Sequence, residues 1–412
     1  MFRESITFFK SYNRNIKLLL LGNIFIQIGL GITAIIYNFY IRSLGYEDTM
    51  NGQVISLTSL ATALFLLPAG IMGDRKGRKK ILLFGLAAAG IFMLLRSVLE
   101  SASLLLSIAF LLGGATAFFQ VMVIPMLAEN STADQRVHLF SFHFAITTAA
   151  NVIGNLLGGF LTDVFKLLVE DISAIRLALL IGSIIFASAM IPFAKLAEPL
   201  KDAEQPPLLR EPIGSVSRKI ILIFFLSQLL IGTGSGLVIP YLNLYFADRF
   251  HASNSAIGLI LSVGQAGTAI AMFLGPAVVK RFGEVKAVVL LQMLSLPFLL
   301  ITAFTGNLFI ASIAFLFRQA LMNAGNPIQM SLMMSLVNDR SKGVANSANQ
   351  MAFNLGWAFM GPVSTTLVVT YGSYWGYAAV FSITSFIYFI ATLYFFFVLK
   401  AFTKKNIQVA MS

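Results

Sequence analysis

Between residues 70 and 80 the chain reads Gly70-Ile71-Met72-Gly73-Asp74-Arg75-Lys76-Gly77-Arg78-Lys79-Lys80. This polar stretch separates two apolar runs, 52–72 and 80–99. Each has about the 20 residues an α-helix needs to cross a hydrocarbon core. Gly70 and Gly73 are expected to let helix backbones approach closely. Gly77 permits a tight turn with positive φ. Asp74 is a lone carboxylate at the edge of a membrane, where an unpaired charge is costly.

Spanning-length apolar runs continue in both directions. They predict helices at 16–41, 52–72, 80–99, 103–128, 137–162, 174–195, 218–246, 255–279, 286–305, 308–337, 344–369 and 375–400. The chain of 412 residues is 58% hydrophobic and only 11% charged, too few polar side chains to cover a water-facing surface. The expected fold is an all-α membrane protein of twelve transmembrane helices. The first run is too long for a signal peptide, and no cleaved leader is expected. Cysteine is absent, so neither disulfides nor thiolate chemistry is available. Residues Glu198 to Glu211-Pro212 are charged and proline-rich, and read as a flexible linker. The expected domains are a six-helix bundle at 1–197, a cytoplasmic linker at 198–217 and a second six-helix bundle at 218–412.

Charge placement sets the expected orientation. Of 29 Lys and Arg residues, only Arg42, Arg96, Lys166, Arg176 and Arg249 fall on the face opposite the N-terminus, and Arg318 falls within a span. The rest lie on the N-terminal face, which the positive-inside rule makes cytoplasmic for both termini. The net charge of +12 would suggest nucleic acid for a soluble chain. Here it suits loops facing anionic lipid, so the bilayer is the expected partner and nucleic acid is not.

The two halves repeat. Ile28-Gly29-Leu30-Gly31 is echoed by Ile231-Gly232-Thr233-Gly234, offset by 203, while Gly52, Ser56 and Thr62 match Gly258, Ser262 and Thr268, offset by 206. Arg75 and Gly77 match Arg281 and Gly283 at the same 206. Duplicated halves with a site between them are a common plan for secondary transporters.

The 70–80 loop resembles the signature of the major facilitator superfamily, G-x-x-x-D-R-x-G-R-[KR], at every defining position and between the expected helices. Lys280 stands where the second copy would have its aspartate. The resemblance covers essentially the whole chain and implies a secondary transporter working by alternating access, in feel nearest to bacterial drug and metabolite efflux members. It also implies that Asp74 meets the N-terminus of helix 11, around Gly343 to Asn346. Arg75 and Arg78 are expected to pair with Glu129 or Asp134, so that Gly70, Asp74, Arg75, Gly77, Arg78 and Glu129 form a cytoplasmic gate. The competing use of the basic residues is to fix topology alone. Drug–proton antiporters of the family usually carry an Arg in helix 4, which this chain lacks; a similar pattern appears in helix 10, with Arg318, Gly325 and Pro327. Their helix 5 signature ends in Gly-Pro, whereas Gly158-Gly159 here has no proline.

Amides fall into stripes at helical spacing. Helix 1 carries Asn23, Gln27 and Asn38; helix 4 Thr116 and Gln120; helix 5 His143, Thr147, Asn151 and Asn155. Helix 7 offers Gln228 and Ser235, and helix 8 Ser262 and Gln265. Helix 10 offers Arg318, Gln319, Asn323 and Asn326, and helix 11 Asn349, Gln350, Asn354 and Trp357. Interhelical hydrogen bonding is the plain use of each, worth about 0.6 kcal/mol on average. The set points to a solute cavity lined by Asn23, Gln27, Gln120, Asn151, Gln228, Gln265, Arg318, Asn323, Asn349, Asn354 and Trp357. Arg318 suits an anionic solute or a titrating partner, or else a structural ion pair. His143 is the candidate for proton coupling, since imidazole titrates near neutral pH.

The expected function is export of an amphipathic drug-like compound or metabolite, with protons as a candidate coupled ion, in the cell's inner membrane. Uptake or facilitated diffusion of a sugar or amino-acid-like solute, and lipid translocation, are the alternatives. An enzyme is not expected: three His lack metal-ligand spacing and no Walker A sequence occurs. No cofactor and no metal are expected, and a monomer suffices.

Overall fold

The computed structural model describes residues 12–197, 214–338 and 341–411. Residues 198–213 of the expected linker lie outside them. All regular structure among the described residues is helical. Helices α1 (Arg14–Ser43), α2 (Asp48–Lys76), α3 (Arg78–Arg96), α4 (Ala102–Glu129), α5 (Ala133–Lys166) and α6 (Asp171–Ala194) come first. Then follow α7 (Ser215–Phe250), α8 (Asn254–Phe282), α9 (Glu284–Phe304) and α10 (Leu308–Leu336). The stretch Lys342–Met411 is broken by Gly372, at φ 76°, into α11 (342–371) and α12 (373–411).

Ten stretches are long and apolar enough to cross a membrane. One of them, Gly343–Lys400, runs across the break at Gly372 and takes in most of both α11 and α12. The nineteen-residue α3 has basic residues at both ends, which excludes it by charge rather than by length. Among the described residues twelve helices result, as the apolar runs predict.

Local chemistry sets the helix ends. The Asn13 side chain caps α1 by accepting from the Ile16 amide at 2.8 Å. Asn307 caps α10 by accepting from Phe309 and Ile310. Gly77 and Gly283 precede α3 and α9 with φ of 96° and 78°, a region closed to most residues. Pro240 lies in a 3-10 turn, Ile239–Tyr241, that interrupts α7.

The described residues form two compact units. The first comprises 12–46, 60–197 and 253–262; the second comprises 47–59, 214–252 and 263–411. Each unit thus takes the start of one helix, α8 or α2, from the other half of the sequence. The first core packs Leu19, Ile26, Phe119, Met122, Phe186 and Phe193. The second packs Phe224, Val288, Ile328, Met333, Phe395 and Leu399. Outward, Leu64, Phe84, Phe160, Leu274, Phe309 and Phe359 are all more than half exposed, as suits a lipid-facing exterior.

The duplication is visible in packing. Phe186 lies against Gly29 in the first unit and Tyr388 against Gly234 in the second. The Tyr40 hydroxyl donates to the Leu99 carbonyl at 2.9 Å, and Tyr245 donates to the Thr302 carbonyl.

Candidate functional site

Small residues let α1 cross α5 closely. A Cβ on Gly31 would stand 2.7 Å from the Asn151 carbonyl oxygen and 2.9 Å from Gly154 Cα. This crossing brings Asn23 to His143, whose ring nitrogens both lie 3.3 Å from the Asn23 amide nitrogen. Asn155 donates to Asn151 Oδ1 at 3.4 Å. Gln27 is half-buried and Gln120 exposed. Neither has a hydrogen-bond partner among the described residues, so both amides are open to a ligand or to water.

The second unit holds the remaining candidates. Arg318 in α10 is 2% exposed. Its Nη2 donates to the Tyr388 hydroxyl at 3.0 Å and its Nη1 to Gln319 Oε1 at 2.9 Å. The guanidinium carbon stands 5.6 Å from the Tyr388 ring centroid. The Trp357 indole donates to Ser235 Oγ at 2.7 Å and packs on Phe353. Asn323 donates to the Gln319 carbonyl, and Asn354 to the Gln350 carbonyl, so both are partly spent on their own helices. Gln265 is half-buried without a hydrogen-bond partner among the described residues. Gln228 Oε1 and Asn349 Oδ1 are buried without one.

At the signature loop, Arg78 pairs with Glu129 at 2.5 Å, and Lys79 donates to the Leu196 carbonyl at 2.7 Å. A Cβ on Gly73 would collide with the Met122 side chain. Gly70 departs from the close backbone approach expected of it: the nearest atom to its added Cβ among the described residues is the side-chain atom Val121 Cγ2, at 3.9 Å. Arg75 is exposed. The side chains of Asp74 and Asp134 lie outside the described residues.

The structure adds a second set of contacts that sequence reasoning passed over. In the first unit, Asp163 at the end of α5 accepts from Asn254 Nδ2 at 2.7 Å and from the Ser255 amide at 2.8 Å. A carboxylate thereby caps the N-terminus of α8, where free N–H groups favour an anion. Beside it Ser262 donates to the Val152 carbonyl at 3.1 Å, and Gly258 faces the Asn155 carbonyl. The second unit repeats the theme: Ser56 donates to the Ala358 carbonyl and Gly52 lies against Gly361. The matched Gly52/Ser56 and Gly258/Ser262 pairs were the available signal. The sequence showed them as a repeat without showing that each glycine admits a neighbouring helix and each serine holds it. Gln292, buried in α9 and accepting from Thr392 at 3.0 Å, was also missed.

The Major Facilitator Superfamily sequence profile matches residues 19–223 and again 224–410. An MFS-type transporter of Bacillus subtilis, YceJ, is 26% identical over 312 residues, covering 73% of this chain and 75% of the relative. The class B tetracycline resistance protein of Escherichia coli is 25% identical over 288 residues, covering 68% and 70%. Among solved structures, the nucleoside transporter NupG superposes with a TM-score of 0.75 at 15% identity, covering 92% of this chain and 98% of NupG, a likeness of fold. With two matched repeats, twelve helices and the intact signature loop, this chain belongs to the Major Facilitator Superfamily and is a multi-pass membrane transporter of small-molecule solutes.

Proposed function

We propose that the chain is a secondary active transporter that works by alternating access and exports an amphipathic drug-like compound or metabolite, with both termini cytoplasmic. The observation that carries this reading is the pair of interlocks at Asp163 with Asn254 and Ser255, and at Gly52 with Gly361. Each ties a helix from one half of the sequence to a helix from the other. They are built from one capping carboxylate, hydroxyl-to-carbonyl bonds and glycine contacts, which can part without breaking a hydrophobic core. Alternating access requires them to part in each cycle. At the opposite end the Arg78–Glu129 pair supports the gate proposed for Gly70, Asp74, Arg75, Gly77, Arg78 and Glu129.

Relatives named for tetracycline and multidrug resistance favour export. A Phe- and Met-rich interior with few fixed charges adapts to varied apolar solutes. Uptake of a polar solute is the second reading, favoured by the unpartnered amides of Gln27, Gln120 and Gln265. Coupling to protons through His143 belongs to the proposal, its imidazole being held by Asn23.

The absence of cysteine gives a clean test. Asp163→Cys with Ser255→Cys, reconstituted in proteoliposomes, should lose solute flux on oxidation and regain it with dithiothreitol. Unchanged flux through the cross-linked protein would refute alternating access at this gate. An imposed pH gradient sets the coupling: flux indifferent to it removes protons from the cycle, and the sign of net movement decides between export and uptake.

A further inference from the structure

Arg318 is a fixed charge that pairs with no carboxylate among the described residues. Among the described residues of the second unit the acidic side chains are Glu47, Asp48, Asp248 and Glu284, all at or next to helix ends, and the sequences of α10, α11 and α12 contain none. The guanidinium is 2% exposed, and its two acceptors among the described residues, the Tyr388 hydroxyl and Gln319 Oε1, are neutral. Its Nε is buried with no acceptor at all among the described residues. A second orphan donor lies nearby along α12. Thr392, one helical turn from Tyr388, bonds Gln292 Oε1, and Gln292 Nε2 is also unsatisfied. The region is short of acceptors and carries net positive charge in a medium that penalises both.

The guanidinium communicates with half-buried groups on two sides. Gln319 is half-buried and holds Nη1 through an amide oxygen, a weaker partner than an ionised oxygen. On the other side Tyr388 packs on Gly234, next to Ser235, which receives the indole N–H of half-buried Trp357. Trp357 and Phe353, with ring centroids 5.6 Å apart, supply an apolar aromatic face on that side.

We propose that Arg318 is an anion subsite that takes the carboxylate or sulfonate of an amphipathic organic anion, with Gln319 Oε1 holding the place of the ligand oxygen and Trp357 and Phe353 contacting its apolar body. The proposal rests on the transporter reading above and narrows its solute class. A planar, permanently charged fork suits a two-oxygen acid group. A neutral solute would leave the buried charge uncompensated.

The test uses the full chain in detergent with Trp375→Phe, which leaves Trp357 as the sole tryptophan. Benzoate and naphthalene-2-sulfonate are titrated in gluconate buffer against Trp357 emission, with benzamide as the neutral counterpart and sodium chloride as a separate arm. Saturable change with either organic anion, absent with benzamide, is expected. Arg318→Gln should weaken it at least about tenfold, and Arg318→Lys, which keeps the charge but not the planar fork, should fall between wild type and Arg318→Gln. Melting curves for both variants separate misfolding from lost binding. Equal response to benzamide, an unaltered response in Arg318→Gln, no saturable response to either organic anion, or the same response to chloride alone would each overturn the proposal. Flux measurements keep the two readings apart. A protein that binds these anions but moves no solute retains the subsite and loses the carrier; one that moves neutral compounds equally well with Arg318→Gln retains the carrier and loses the subsite.

Discussion

In the first unit, Asn23 meets the imidazole of His143; in the second, Tyr388 and Gln319 meet the guanidinium of Arg318. The surrounding packing is nearly a copy. Phe186 and Phe193 correspond to Tyr388 and Phe395 at one offset of 202, and the first of each pair lies on a glycine of α1 or α7. At that offset Arg318 corresponds to half-buried Thr116. Duplication preserved the scaffold, since close helix contacts tolerate little change in volume. Charge was free to diverge. One unit carries a group able to be neutral at physiological pH, and the other a group that is always charged.

Substitutions can break that comparison at its ends. Arg318→Ala strips Tyr388 and Gln319 of their donor and removes the fixed charge; solute flux should fall about tenfold or more. Thr116→Ala, at the matching position, should change flux less than about twofold. Initial rates in proteoliposomes check both, and similar losses at the two sites would show that the units are functionally alike. Gly159→Val should follow in size. Its Cβ would collide with the Asn254 carbonyl, so about 1–3 kcal/mol of overpacking is expected, seen as a lower Tm. Asp163→Ala leaves Asn254 Nδ2 and the Ser255 amide without their acceptor at the start of α8. A loss of about 1 kcal/mol is expected there, read as a lower Tm. Asn23→Ala should cost only about 0.6 kcal/mol, the average for an interhelical polar contact in a membrane, and a melting curve suffices. Smallest is Gly70→Ala, within about 0.5 kcal/mol of wild type in the same measurement, because its nearest neighbour leaves room for a methyl group.

The helices were legible because hydrocarbon imposes a minimum apolar length and internal backbone bonding. The reading failed mainly at ends: 137–162 became Ala133–Lys166, and 218–246 became Ser215–Phe250 with a turn at Pro240. Polar stripes correctly located Asn23, His143, Arg318 and Trp357 on their helices. Their partners were another matter. Asn23 and His143 are 120 residues apart, Arg318 and Tyr388 are 70 apart, and periodicity says nothing about which helix lies opposite. Tyr388 was overlooked because residues 375–400 carry no amides. Asp163 belongs to no polar stripe, yet a carboxylate at a helix end is well placed to cap another helix.

The exchange of the first turns of α2 and α8 has a consequence for how the polypeptide can be divided. Cut within 198–213, the N-terminal fragment would keep residues 47–59 with nothing of α11 to receive them, and the C-terminal fragment would keep 253–262 with no Asp163 to cap them. Neither piece would be a finished object in the bilayer. Expressed together they should find each other without a covalent tether, each supplying the peg that the other's socket lacks.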